Sequence, residues 1–212
     1  ALLIIIAFIV FLNIINVVFN KPSWQLDRFI NMDGEANFPA WFSGMILAIA
    51  GFFAYRCSFT ANVKEKGSKM FKLLALGLLG MSCDEVAMIH EHLGMFVNKH
   101  FFKIENLKSE WVVLLGPIVL FVIVVFVIKS RKYLKDSNVA KKFLIIGAFI
   151  YIFGAFGIEA SINFLSDNAL TKVAPISTIL EEFCEIIGIV LVIKGLVEHS
   201  RFLEKNKGVI RE

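Results

Sequence analysis

Residues 70–96 read MFKLLALGLLGMSCDEVAMIHEHLGMF. The segment from Met70 to Cys83 carries one charge, Lys72, near its start. The segment from Asp84 to His92 then packs Asp84, Glu85, His90, Glu91 and His92 into an apolar setting. The run is long enough to cross a bilayer, which takes about 20 residues. It therefore reads as a membrane span with carboxylates where hydrocarbon is expected, and the rest of the chain has to be consistent with that.

It is. Of 212 residues, 58% are hydrophobic and only 19% are charged, and 22 are Phe. The mean hydropathy is +0.74. A soluble domain of this size has no interior large enough to hide that much apolar surface, so a water-soluble globular enzyme is excluded, as are disordered and collagen-like chains. Three cysteines without a C-x-x-C spacing exclude a disulfide framework and argue against a zinc ribbon. One domain covering residues 1–212 is expected.

Three further windows, Ala1–Asn20, Phe38–Tyr55 and Trp111–Ile128, are free of charge. Two more, Phe143–Leu165 and Ile176–Val197, are apolar runs interrupted by acids. With Met70–Phe96 this predicts an all-α polytopic bundle of six transmembrane helices. Pro22-Ser23-Trp24, followed by Leu26, Phe29, Ile30 and Met32, reads as a short interfacial helix or an aromatic-anchored loop. The chain opens inside an apolar run without a Met, so missing N-terminal residues are expected, with a cleaved signal peptide the weaker alternative.

Lys and Arg set the orientation. Sixteen lie in the 2–3 and 4–5 loops, the tail and the adjoining helix ends, against six on the opposite side. Both termini are therefore expected in the cytoplasm, with the protein multi-pass in the plasma (inner) membrane. The basic tail is flanking charge of this kind, and no nucleic-acid partner is expected.

Seven carboxylates fall within spans: Asp84, Glu85, Glu91, Glu159, Glu181, Glu182 and Glu185. Only Lys72 and Lys194 share those spans, both at cytoplasmic ends. An unpaired buried charge costs several kcal/mol. The acids must be protonated, wetted by a cavity or neutralised by cations. Counting residues along spans 3, 5 and 6 places all seven in the outer, extracytoplasmic half of the bilayer. At 100° per residue Asp84, Glu91, His92 and Glu85 share one face of span 3, while His90 lies at its edge. Glu159 and Asn163 stack at i, i+4. Spans 3, 5 and 6 should form the polar core. Span 4 should be peripheral, kinked near Gly116-Pro117.

Glutamate-rich bundles with a few histidines are how iron and manganese carboxylate sites are built. One divalent ion or two are expected, iron or manganese first, with calcium, magnesium or zinc also compatible. Asp84, Glu91, Glu159, Glu182 and Glu185 form the core ligand set, with Glu85, Glu181 and a histidine around them. Phase selects His92. No Glu-x-x-His pair occurs, although Glu182 and Glu185 have its spacing.

Four blocks carry a resemblance. Asp33-Gly34-Glu35-Ala36-Asn37-Phe38-Pro39-Ala40-Trp41-Phe42-Ser43 resembles D-x-E-x-N-x-P-T-W-F-S, with Ala40 replacing Thr. Ser82-Cys83-Asp84-Glu85 with His90-Glu91 resembles S-L-D-E-x-x-x-x-H-E. Gly157-Ile158-Glu159 and Glu181-Glu182-Phe183-Cys184-Glu185 resemble G-x-E and E-E-x-x-E. In this order they resemble a family of uncharacterised six-span prokaryotic membrane proteins. The resemblance implies a fold and a set of polar positions but no activity. It favours His90 over His92 and adds Asp33, Glu35 and Asn37.

Three functions follow as expectations. The first is a metal-dependent membrane enzyme, a hydrolase or oxidoreductase acting on a lipid or small apolar substrate. The second is an accessory subunit of a larger membrane complex with a structural metal. The third is a proton- or cation-coupled transporter. Membrane lipids, and other membrane subunits in the second case, are the expected partners.

Overall fold

The computed structural model describes residues 2–19, 21–32, 34, 37–59, 65–134, 137–165 and 167–205. All regular structure among them is helical: α1 (Leu2–Val18), α2 (Trp24–Ile30), α3 (Phe38–Phe59), α4 (Glu65–Ala87), α5 (Ile89–Val97), α6 (Glu110–Leu114), α7 (Gly116–Ser130), α8 (Asn138–Ile152), α9 (Glu159–Ile162) and α10 (Asp167–Lys205). Two π turns, Asn98–Phe102 and Phe153–Ile158, extend α5 and join α8 to α9.

Among the described residues two helices are long and apolar enough to cross a membrane, Phe38–Phe59 and Asn138–Ile162. A third span is present if Gly67–Ala87 and Ile89–Phe102, bent by 76°, count as one. The sequence windows are more generous than the helices. α1 is 17 residues long. The Trp111–Ile128 window is divided at Leu115, where α7 begins with Pro117 in its first turn. Pro175 does not open the last helix as the sequence suggests. It lies inside α10, which runs for 39 residues, roughly 58 Å at about 1.5 Å per residue.

The core forms where α3, α4 and α10 meet, around Phe42, Ile46, Leu47, Phe71, Ile186 and Leu196, each 0–1% exposed. α8 lies along α10 at backbone contact. A Cβ on Gly147 would sit 2.6 Å from the Gly188 carbonyl oxygen, and one on Gly188 would sit 2.7 Å from the Tyr151 nitrogen. Only hydrogen fits at either position, and this small-residue seam lets two helix backbones touch. The outward faces are apolar, with Ile4 73%, Phe8 55%, Phe121 69% and Phe149 69% exposed.

The short helix read from Trp24 onward is α2, capped by the Ser23 hydroxyl, which accepts from Leu26 N at 3.5 Å. Asn13 and Asn16 tie α1 to it. Asn13 Nδ2 donates to Ile30 O at 2.6 Å, its Oδ1 accepts from Met32 N at 2.8 Å, and Asn16 Nδ2 donates to Asp27 Oδ1 at 2.7 Å. Asn37 caps α3 by accepting from Ala40 N at 3.1 Å, and its Nδ2 donates to the Asn31 carbonyl at 2.6 Å. Asp33 and Glu35 lie outside the described residues.

Candidate functional site

α4 ends because its chain reverses hand at one residue. Met88 adopts φ 53° and ψ 37°, a left-handed conformation that costs a side-chain-bearing residue about 1–2 kcal/mol. The next helix, α5, starts at Ile89 and turns back on α4. Asp84 closes this corner. Its Oδ1 accepts from the His90 backbone N at 2.8 Å, satisfying a helix-start amide, and its Oδ2 meets His90 Nδ1 at 2.8 Å. With Asp84 ionised, Nδ1 is the donor, and on the neutral imidazole Nε2 carries the lone pair.

This corner decides between the two histidines. A continuous helix would put His92 on the Asp84 face, but the break at Met88 resets the helical phase. His90 therefore joins Asp84, while His92 is exposed with Nδ1 bonded to the Met88 carbonyl at 2.7 Å. His90 and Glu91 line a cavity of about 330 Å³, and His92 does not. His100 bonds through Nδ1 to Phe96 O at 2.9 Å. His199, which reads from sequence as a tail residue, is 2% exposed and packed on Phe71.

The same cavity is lined by Asp84, Glu85, Glu159, Glu181, Glu182 and Glu185. All seven carboxylates of the three acidic sequence runs are thus gathered with His90, and among the described residues no Lys or Arg lines this cavity. Each supporting element arrives by a different route. α4 brings Asp84 and Glu85 to its broken end. The π turn Phe153–Ile158 widens the helix just before Glu159, the usual setting of such turns beside functional residues. α10 brings Glu181, Glu182 and Glu185 along the seam with α8.

Neutral donors hold Glu159. Ser109 Oγ and Trp111 Nε1 both donate to Glu159 Oε1, at 2.6 and 2.7 Å. Asn163 does not line the cavity. It fixes the Ser109 loop from below, its Oδ1 accepting from Lys108 N at 2.9 Å and Ser109 N at 3.1 Å. Tyr151 lines the same cavity. Trp111 also meets the His90 ring edge-to-face, centroids 4.6 Å apart. It reaches that position because α5 presents Gly94, where a Cβ would sit 2.6 Å from Trp111 N.

The window containing Trp111 is therefore not simply peripheral. Trp111 walls the site, as do Leu115, Val119 and Ile123. The absence of charge in that window hid this, because a wall residue can be apolar or aromatic. Tyr151 and Ser109 gave no sequence signal, being ordinary residue types in an apolar span and a polar loop.

Among the described residues no three His, Cys, Asp or Glu side chains stand close enough to hold one metal ion together. The donors ring a cavity instead of converging on a point. Cys83 is exposed and Cys184 partly buried, and neither lines the cavity.

The family model for a domain of unknown function, DUF8692, matches residues 1–198. The chain belongs to that family. No curated protein and no solved structure matches it. The resemblance drawn from the four blocks thus holds in its coarser form, membership of a family without an assigned activity. In this DUF8692 chain, three of the blocks supply the whole ring of acids: S-x-D-E with His-Glu, G-x-E, and E-E-x-x-E.

Proposed function

We propose that this chain is a six-span integral membrane protein of the plasma (inner) membrane, with both termini cytoplasmic, whose acidic cavity faces the extracytoplasmic side. The cavity binds one or two divalent cations, and the protein acts as a metal-dependent hydrolase or oxidoreductase on a lipid or small apolar molecule. One observation carries this reading: seven carboxylates and a histidine line a single cavity, and among the described residues no Lys or Arg lines it. Seven ionised acids at that density repel one another by many kcal/mol. Two divalent ions cancel four charges, and hydrogen bonds and water handle the remainder.

The donor set fits iron or manganese, being oxygen-rich with one imidazole. Asp84, Glu91, Glu159, Glu182, Glu185 and His90 would hold the ions, with Glu85 and Glu181 beside them. Because the glutamates stand around the cavity, ion binding draws them inward by rotation of their flexible side chains. A bound ion would supply Lewis acidity or a redox couple. The chain supplies the rest. Asp84 orients His90 and leaves Nε2 to ligate or take up a proton, an outer partner of the kind that raises imidazole basicity. Ser109 and Trp111 occupy one oxygen of Glu159 and leave the other for the cavity.

Transport fits less well. The opposite end of the bundle is closed by Ala50, Ala54, Cys57 and Leu196, each 0% exposed, so among the described residues the cavity has no polar continuation through them.

Elemental analysis of the purified protein, with Glu159→Gln beside it, tests the reading. A stoichiometric divalent metal is expected in the parent. The variant should lose at least half of it and melt at lower temperature, since a ligand of the native state adds stability. No metal at neutral pH and a harmless Gln would end the proposal and leave the acids protonated and hydrogen-bonded.

A further inference from the structure

A second cavity of about 500 Å³ adjoins the first and shares Glu91, Trp111 and Glu159 with it. Its character is different. Lys99, from the π turn after α5, and Lys108, from the loop before α6, both line it. Lys108 also donates from its ammonium to the Leu165 carbonyl, which fixes that side chain over the cavity. The one carboxylate that belongs to this cavity alone is Glu110, and it is turned into the loop. Its Oε1 accepts from Asn98 Nδ2 at 2.7 Å, and its Oε2 is sealed from solvent. Two lysines thus border the second cavity, which adjoins the acidic chamber.

The inner chamber has one apolar wall. Leu115, Val119 and Ile123 recur every four residues, forming a single stripe of α7 that faces it. α7 packs mainly on its own flanking segments, α6 and the turn after it. Its other face is bare and apolar, with Ile118 65% and Phe121 69% exposed. The chamber is therefore walled from the lipid side by a helix that is not clamped to the bundle.

We propose that the substrate of this site is an amphiphile with a phosphate-bearing headgroup. The phosphate sits between Lys99 and Lys108, and the acyl chain follows the Leu115–Val119–Ile123 stripe. The join between head and tail then lies at Glu91, Trp111 and Glu159, the residues common to both cavities. This rests on the enzyme reading above and names its substrate class. The head is assigned to the second cavity because Lys99 and Lys108 line it beside Glu91, Glu110 and Glu159, whereas among the described residues no Lys or Arg lines the inner chamber.

The test uses the full chain in neutral maltoside micelles, with Trp24 and Trp41 replaced by Phe so that Trp111 is the only tryptophan. Its fluorescence is followed while short-chain phosphatidic acid, diacylglycerol of the same chain length, or inorganic phosphate is added. Phosphatidic acid should bind saturably and at least tenfold more tightly than either of the other two. The double variant Lys99→Gln/Lys108→Gln should weaken it at least tenfold with metal content unchanged. Val119→Phe, which fills the stripe, should weaken phosphatidic acid and leave phosphate untouched. Equal binding of diacylglycerol or of free phosphate would overturn the proposal, as would indifference to the lysine changes. Metal content measured on the same samples reports separately on the enzyme reading, so the two can fail independently.

Discussion

α3, α4 and α10 build two different interiors. At one end they close on Ala50, Ala54, Cys57, Phe71 and Leu196, none more than 1% exposed, and the Cys57 thiol reaches the Leu196 carbonyl at 3.5 Å. At the other end the same helices carry Ser43, Asp84, Glu85, Glu181, Glu182 and Glu185 and surround a cavity with α5, α7 and α9. The closed end is made of regular helix. The open end is where the backbone departs from it, at left-handed Met88, at the break before Gly116 and at the π turn Phe153–Ile158. Regular helices pack ridge into groove and leave no room. Irregular backbone within a membrane is tolerated where it lines a polar cavity, and in this bundle the irregularities gather around the acids.

The contrast can be broken most forcefully at the seam between α8 and α10. Gly188→Leu places a side chain where the Tyr151 backbone already lies 2.7 Å from an added Cβ. It should cost about 3 kcal/mol or more, read as a large fall in melting temperature in micelles. Cavity acids such as Glu182, changed to Gln in the metal-free protein, should leave melting almost unmoved. Comparable losses at both ends would mean that the two interiors are not mechanically distinct.

The closed end should also be the acid-sensitive end of the fold. His199, C-terminal to the apolar window 176–197, packs against Phe71 and Phe202, and burial pushes its imidazole down from 6.5 to about 4. The native state therefore binds that proton less readily than the unfolded chain. Its contribution is complete above about pH 6.5 and is lost as pH falls toward 4, by about 3 kcal/mol at most. Comparing the pH dependence of melting for the parent and His199→Phe checks this. The variant should lose that part of the acid sensitivity and match or exceed the parent at pH 7, because the His199 Nδ1 is buried without a partner among the described residues.

The smallest effect sharpens the open end. Met88→Gly removes the cost of the left-handed turn and should raise stability by about 1 kcal/mol, with the Asp84–His90 pair intact. Met88→Ile, branched at Cβ, should lower it by a similar amount or more. If Gly destabilises instead, the break does not depend on Met88 being left-handed.

Much of this was legible in the residues themselves. Hydropathy alone made the chain helical and apolar on its surface, because 58% hydrophobic residues cannot be buried inside 212. The carboxylates announced a shared site, because in three separate apolar runs the Lys residues, Lys72 and Lys194, lie only at the ends away from the acids. Their meeting around one cavity followed from counting residues along each run, and depth along a helix is a one-dimensional property. What required the tertiary structure was everything that depends on phase and on contacts between helices. Summing 100° per residue through Met88 chose His92, and one residue with positive φ reversed that choice in favour of His90. Trp111 and Ser109 are ordinary residues until a neighbouring helix brings Glu159 within 3 Å of an indole and a hydroxyl. Helix length was also decided late. Pro175 and Pro117 look equivalent in the sequence, yet α10 runs through the first and α7 begins at the second. Proline removes one hydrogen bond and adds one steric clash, and only the packing around it determines whether the helix absorbs that cost or ends.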